Sequence, residues 1–416
     1  MNRRILAILS YGHLATDLSQ GAIPALLPLF KTQYHLSYTD VGLVVLMANL
    51  SSSVVQPGFG VLSDRVGMSW LLPLGALFSG VGIVLAVLSP HYGTMVAMIF
   101  LSGLGVAAFH PEGYKFAGLA SGERRVSGMS YFSVGGTLGY GLGPAAASIA
   151  LSVAGVFGML YLLIFSVPAA FLLWRITATR RPERLDEVWT APAPATAAPH
   201  TTAVRAPIAA ASTGILALLI MFVVLRSWVQ AGIASFIPLY FIVIRHADPR
   251  YAGMLVSVFL GSGAVGTLLG GWIADRWGRR LTLIVSTVIL PPLLWILPRT
   301  AGAPVILAAL LSGMAIVSTF AVVMVMAQAL APERIGLMSG LIIGFAVGTG
   351  GIGVTLLGAV ADRWGPLRAM DVAALLPVAA LAIAVLLPPD PRPGRNSVPH
   401  PPRSFISSAE AEVGGR

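Results

Sequence analysis

Cysteine is absent from all 416 residues. This excludes disulfides, thiol catalysis and thiolate metal sites, and leaves the redox compartment unreadable. Charge is scarce too: 10% of the residues are Asp, Glu, Lys or Arg, against about 25% in an ordinary soluble domain. The spacings H-E-x-x-H and G-x-S-x-G do not occur, so neither a zincin-type metal helix nor a nucleophile elbow is written into the chain. What is present is apolar. Hydrophobic residues make up 56% of the sequence, enough for about eleven or twelve bilayer crossings of about 20 residues each. The 46 Gly and 29 Pro suit membrane helices, whose neighbours re-satisfy a broken backbone.

The apolar runs fall as six between residues 5 and 175 and six between 213 and 388. The predicted fold is an all-α membrane protein of twelve transmembrane helices in two six-helix bundles, residues 1–175 and 213–388. Between them, 176–212 carries Arg180, Arg181, Arg184 and several prolines among Ala and Thr, a composition expected of a linker. The tail 389–416 is expected to be disordered for the same reason. The first run follows Met-Asn-Arg-Arg and continues to about Phe30 through His13, Asp17 and Gln20 without a small-x-small cleavage site, so it reads as a retained span. The formal charge of +10 invites a nucleic-acid reading, but the basic residues are unevenly placed. Nineteen Lys and Arg fall on the termini and even-numbered connections, six on the odd-numbered ones and one, Arg226, inside a span. Cytoplasmic loops carry the Lys/Arg excess, so both termini and the linker are expected in the cytoplasm, and no nucleic acid is needed.

The halves repeat each other. Gly60 to Gly67 recurs as Gly271 to Gly278 at an offset of 211; Gly128, Gly136, Gly139 and Gly141 recur at 212 as Gly340, Gly348, Gly351 and Gly353; Gln20 to Pro28 matches Gln230 to Pro238 at 210. This six-plus-six repeat, with its G-x-x-x-D-R-x-G-R-R loop, resembles the major facilitator superfamily of secondary transporters. Gly271, Asp275, Arg276, Gly278, Arg279 and Arg280 fit that loop in full, whereas the copy with Asp64 and Arg65 has Met68 and Ser69 where basic residues are usual. The resemblance implies that this loop is a cytoplasmic gate: its Asp can face the start of a partner helix and its Arg can pair across the bundle interface. The alternative is a topogenic turn. A third copy, Gly358 to Gly365, falls on the outer side by the charge count and reads as a capped turn only.

His13 to Asp17, Gln56-Pro57, Phe109-His110-Pro111-Glu112 and the stretch Val134 to Pro144 are similar to strings of the fosmidomycin-resistance branch, bacterial inner-membrane exporters. That resemblance implies export of a small phosphonate anion driven by the proton gradient. From the residues themselves, Asp17 is the costliest, since an acid at mid-span costs roughly 2.5 to 3.5 kcal/mol. His13 and Gln20 share its helical face, and burial disfavours charge on both an acid and an imidazole. The cluster is therefore either a proton-coupling site, Asp17 with His13, or a polar contact between helices. Arg226 aligns with Thr16, next to Asp17. It either binds an anionic substrate with its planar fork, together with Gln20, Gln230 and Trp228, or forms a static pair with Asp17 or snorkels. His110 and Glu112, placed at the cytoplasmic end of span four beside Lys115, are either gating proton carriers or an ordinary charge cluster at a helix end. Gly135, Gly139 and Gly143 recur every four residues ahead of Pro144 and make a flat helix-packing face.

The function expected is a proton-coupled exporter of a small organic anion or drug, with transport of an endogenous metabolite as the alternative. An enzyme or receptor is disfavoured, because no soluble catalytic domain is present and the repeat calls for a cavity between halves. The expected partners are a small-molecule substrate, protons and the bilayer. No cofactor, metal or nucleic acid is expected, and the chain is expected to act as a monomer.

Overall fold

A computed structural model describes residues 1–60, 69–122, 124–178, 210–331 and 335–388. Among these, helices account for nearly all of the chain and no strand occurs. The first half comprises α1 (Arg3–Gln33), α2 (Tyr38–Asn49, carried on by a π turn at Leu50–Val54), α3 (Leu71–Leu88), α4 (Tyr92–Ser121), α5 (Arg125–Ala154) and α6 (Tyr161–Ala178). The second comprises α7 (Ala210–Pro238, then a π turn at Leu239–Ile244), α8 (Pro249–Trp277, broken at Ser262), α9 (Arg279–Ile296) and α10 (Ala303–Leu330). It ends with α11 (Ile335–Gly348, continued by Gly350–Trp364) and α12 (Pro366–Leu386).

Among the described residues, ten segments are long and apolar enough to cross a membrane, and one of them, Ser127–Ala178, runs through the tight turn Gly155–Leu160 and so holds both α5 and α6. The twelfth crossing is α1, whose mean hydropathy is diluted by His13, Asp17 and Gln20. The helix starts follow local chemistry. Asn2 caps α1 through Ile5 N–H, and Asp248 caps α8 through Arg250 N–H with Pro249 in the first turn. Ser37 and Asp40 form a reciprocal capping box on α2. Prolines inside α1, α4, α5, α6, α9 and α12 are tolerated because neighbouring helices shield the backbone they disturb.

Helix α6 reaches Ala178, three residues past the start expected for the linker, and α7 starts at Ala210, three residues before the expected 213. A run of Ala and Thr at a span's edge carries no hydropathy step that would mark the boundary. Residues 179–209, the tail 389–416, and Asp64 and Arg65 of the first loop copy lie outside the described residues.

The halves meet through α2 against α11 and α5 against α8, two contacts that the repeat makes equivalent. Both are closest at the end of the bundle remote from the chain termini. There a Cβ on Gly42 would press on Thr355, one on Gly351 on Leu46, and one on Gly253 on Ser148. Towards the end that carries the termini, Gly58, Gly271 and Gly344 have open space where a Cβ would sit. The halves therefore converge at the far end and part at the terminal end, with a cavity between them.

Candidate functional site

The seam between α1 and α5 positions the acid. Gly135, Gly139 and Gly143 face α1, where an added Cβ would meet the Ser10 carbonyl, the Leu14 carbonyl and the Gly21 backbone respectively. Without side chains on that face, α5 comes near enough for its Phe132 carbonyl to lie 2.9 Å from His13 Nδ1. The His13 ring also stacks on Phe132, with centroids 4.2 Å apart. Pro144 follows the glycine face, and next to it the Ala145 N–H donates across the halves to Ser257 Oγ at 2.9 Å.

Asp17 sits between two imidazoles. His13 Nε2 lies 3.2 Å from its Oδ2, and His110 Nε2 lies 3.2 Å from its Oδ1, although the second contact is not aligned as a hydrogen bond. His110 Nδ1 is 2.9 Å from the Val106 carbonyl. A carbonyl can only accept, so both Nδ1 atoms carry hydrogen and both Nε2 atoms face the carboxylate. With neutral rings, lone pair would meet lone pair at both contacts. One added proton relieves one of them, and a second relieves the other. Gly136 makes room for this group, since a Cβ there would strike His13 and stand 2.7 Å from Asp17 Oδ2.

His110 thus lies elsewhere than the sequence suggests. The apolar run ends beside it, but α4 continues through Pro111 to Ser121, about 16 Å further at 1.5 Å per residue. Pro111 sits within the helix and so does not mark its end. Glu112 is likewise interior and buried, 3.9 Å from Lys115 Nζ. His13 and His110 are far apart in sequence, and for that reason no metal-ligand spacing was legible. Folded, their nitrogens and an Asp17 oxygen lie within 4.8 Å of one another, near enough to share a cation.

The central cavity, about 320 Å³, begins less than a turn further along α1, at Gln20. Its polar lining includes Gln20 and Asn49 from the first half, Arg226, Ser227 and Gln230 from the second, and the ring of Tyr140. Arg226 is buried. Its Nη1 donates to Gln230 Oε1 at 3.0 Å, its guanidinium lies 5.3 Å from the Phe320 ring centre, and its Nε finds no partner. It forms no ion pair with Asp17, and among the described residues no carboxylate lies within 4.0 Å of it. Gln20 turns to Ser52 Oγ at 3.3 Å instead of to Asp17. Trp228, expected in the cavity, packs against Gly353 instead and is not part of the lining. On a helix that faces the cavity, a residue two positions past Arg226 points away. Asn49, Phe320 and Gly136 were missed as site residues, although a lone Asn in the apolar run 41–62 was a readable signal for the first.

At the gate, Asp275 is exposed and Arg276 lies 5.9 Å and 6.0 Å from the Trp272 and Trp277 ring centres. Arg280 donates to the Val385 carbonyl of α12 in its own half. Arg276 and Arg280 thus make these contacts within their own half.

The Major Facilitator Superfamily model matches residues 9–348 and 223–409. The chain belongs to that superfamily. It is 34% identical over 388 residues to an uncharacterized MFS-type transporter, YfnC, of Bacillus subtilis, covering 93% of both chains. It is 30% identical over 385 residues to the fosmidomycin resistance protein of Escherichia coli, covering 92% of both. Among solved structures, the nucleoside transporter NupG superposes with a TM-score of 0.72 at 12% identity, over 93% of this chain and 99% of that one. A bacterial homolog of the lysosomal transporter Spinster, inward-facing and occupied, also gives 0.72 at 13% identity, over 92% and 96%. Structures at such identity support the fold alone, and it is the twelve-helix, two-bundle fold of this superfamily. The protein is a multi-pass membrane transporter with a small-molecule substrate, and its relatives are transporters, not enzymes.

Proposed function

We propose that this transporter exports a small organic anion from a bacterial cell in exchange for protons. The observation that carries the reading is the separation of the two buried charges. Arg226 stands in the cavity against an amide and an aromatic ring with no carboxylate partner among the described residues, while Asp17 is engaged by two imidazoles less than a turn away. An uncompensated guanidinium in a membrane cavity is costly, and a phosphonate or carboxylate would offset that cost through paired hydrogen bonds. Gln20, Gln230, Ser227 and Asn49 supply further polar contacts. The His13, Asp17 and His110 group holds one or two protons, and releasing them to one side while the anion leaves to the other gives antiport. Similarity to a fosmidomycin resistance protein supports a phosphonate-like cargo and efflux, and the Lys/Arg asymmetry supports cytoplasmic termini in the inner membrane.

Direct competition of Asp17 and the anion for Arg226 is not part of this scheme, because the two side chains do not touch. Coupling instead runs through α1, which carries Asp17 on one turn and Gln20 on the next. The test is uptake of labelled phosphonate into inverted proteoliposomes with an imposed pH gradient. The Asp17→Asn variant should still bind the phosphonate yet lose at least tenfold of the gradient-driven rate, since an amide resembles the protonated acid. Full gradient-driven transport by that variant would remove Asp17 from the coupling step.

A further inference from the structure

The third loop copy, Gly358 to Gly365, does more than end a helix. It does form the capped turn read from sequence: Gly365 has φ +87° and its N–H returns to the Ala361 carbonyl at 2.8 Å. The second copy makes the same turn, with φ +102° at Gly278 and a 2.9 Å bond to the Ala274 carbonyl. The two copies differ in what their Asp residues reach.

Asp362 reaches into the other half. The N–H groups of the first turn of a helix have no partner within the helix. On α2, Ser37 Oγ accepts from Asp40 N–H at 3.0 Å, which leaves Tyr38 and Thr39 to be satisfied. Both are satisfied from α11: Tyr38 N–H donates to Asp362 Oδ1 at 2.7 Å and Thr39 N–H to Oδ2 at 2.9 Å, with Thr39 Oγ1 adding a third bond to Oδ2 at 2.6 Å. A carboxylate at a helix N-terminus also meets the positive end of its dipole. Lys31 Nζ, 3.9 Å from the Tyr38 ring centre, adds positive charge beside it. Along the same interface, glycine stands at three positions where a side chain would force the helices apart. A Cβ on Gly358 would overlap the Tyr38 carbonyl, one on Gly42 would stand 2.7 Å from Thr355 N, and one on Gly351 2.7 Å from Leu46 N. At the opposite end Gly271 borders open space, and among the described residues no hydrogen bond or ion pair holds Asp275, although it and Asp362 are both exposed.

We propose that Asp362 is a latch which holds the two halves closed at the end remote from the chain termini, by completing the N-terminal cap of α2 from α11. The latch is made in the state described, and opening that end breaks all three bonds at once. Copies of one loop sequence at opposite ends of the bundle then hold opposite states, so that each closure removes a cap that the other state had supplied. The role depends on neither the anion nor the proton assignment, because it concerns the resting balance of the two conformations.

The absence of cysteine allows the test to be made with spin-label pairs in the full chain in lipid nanodiscs, without substrate or pH gradient. Thr32→Cys with Arg368→Cys reports the far end, and Arg124→Cys with Arg276→Cys the terminal end. In the parent the far-end pair should give mainly a short distance. Asp362→Ala should raise the ratio of long to short distances at least tenfold, with reciprocal shortening at the terminal end. Thr39→Val, which removes only the hydroxyl, should shift the ratio in the same direction by a smaller factor and should add nothing in the Asp362→Ala background. Should Asp362→Ala fail to fold, Asp362→Asn, which keeps one acceptor oxygen, and Thr39→Val still decide the matter. Unchanged distances in the folded variants, broadening at both ends without reciprocity, or independent effects of Thr39 and Asp362 would each overturn the latch.

Discussion

A guanidinium whose neighbours are an amide oxygen and a ring has hydrogen-bonding capacity left for a ligand, and the nature of that ligand sets what its mutants should do. Hydrogen bonds to charged groups contribute about 1.5 to 3 kcal/mol, so Arg226→Ala should weaken binding of a phosphonate to the purified protein by roughly tenfold to a hundredfold. Arg226→Lys keeps the charge and loses the fork. It should weaken the phosphonate by about tenfold while leaving a neutral drug within twofold, and isothermal titration with both ligands makes the comparison. Equal loss for both ligands would point to a structural role for Arg226. Residues of this kind were legible from sequence because membrane insertion makes a charge conspicuous: Asp17 and Arg226 stand out from their apolar surroundings, and His13 follows from its i, i+4 spacing. His110 joining them was not legible, since that contact depends on how deep α4 runs past Pro111, which hydropathy does not record. The alternative of a static pair between Asp17 and Arg226 is not realised, for a related reason. Alignment of repeats gives equal depth but not the azimuth at which each side chain leaves its helix.

At the scale of the element, the seam between α1 and α5 sets the precision of the site. Gly139 is a confined position on it, because a Cβ there would meet backbone, including Leu18 N at 2.9 Å, and backbone cannot rotate away as a side chain can. Gly139→Ala should therefore push the helices apart at a cost of about 1 to 3 kcal/mol, lower the melting temperature in detergent, and slow gradient-driven transport by pulling the Phe132 carbonyl away from His13. Gly214→Ala is the control, since its Cβ would enter open space and alanine favours the helix; its melting temperature should match or exceed the parent's. A similar melting loss in both variants would mean that the seam has no special role. The four-residue glycine spacing was readable as a packing face, and the helix that it faces was not, because spacing names no partner. The breaks at Ser262 and Thr349 and the π turns in α2 and α7 were also unreadable, as local rewinding costs little and leaves the hydropathy profile smooth.

For the whole molecule, the internal repeat carried the architecture. Matches at offsets of 210 to 212 require two bundles of like design, and the two interface pairs, α2 with α11 and α5 with α8, follow from that symmetry. Which end is closed does not follow, because one sequence must support both states and the balance between them rests on contacts such as Tyr38 with Asp362, 324 residues apart. Orientation in the bilayer rests on a different argument, the placement of 19 basic residues against 6. That count predicts a cytoplasmic turn between α4 and α5 and an outer turn after α1. The absence of cysteine makes the consequence measurable with single substitutions at two exposed positions, Arg124→Cys and Thr32→Cys. In intact cells a membrane-impermeant maleimide should label Thr32→Cys at least tenfold faster than Arg124→Cys, and permeabilising the membrane should bring the two rates together. Removing one charge of nineteen at Arg124 leaves the asymmetry intact, so the substitution does not itself disturb the topology. The reverse labelling order would invert the orientation and place the latch at Asp362 on the cytoplasmic side.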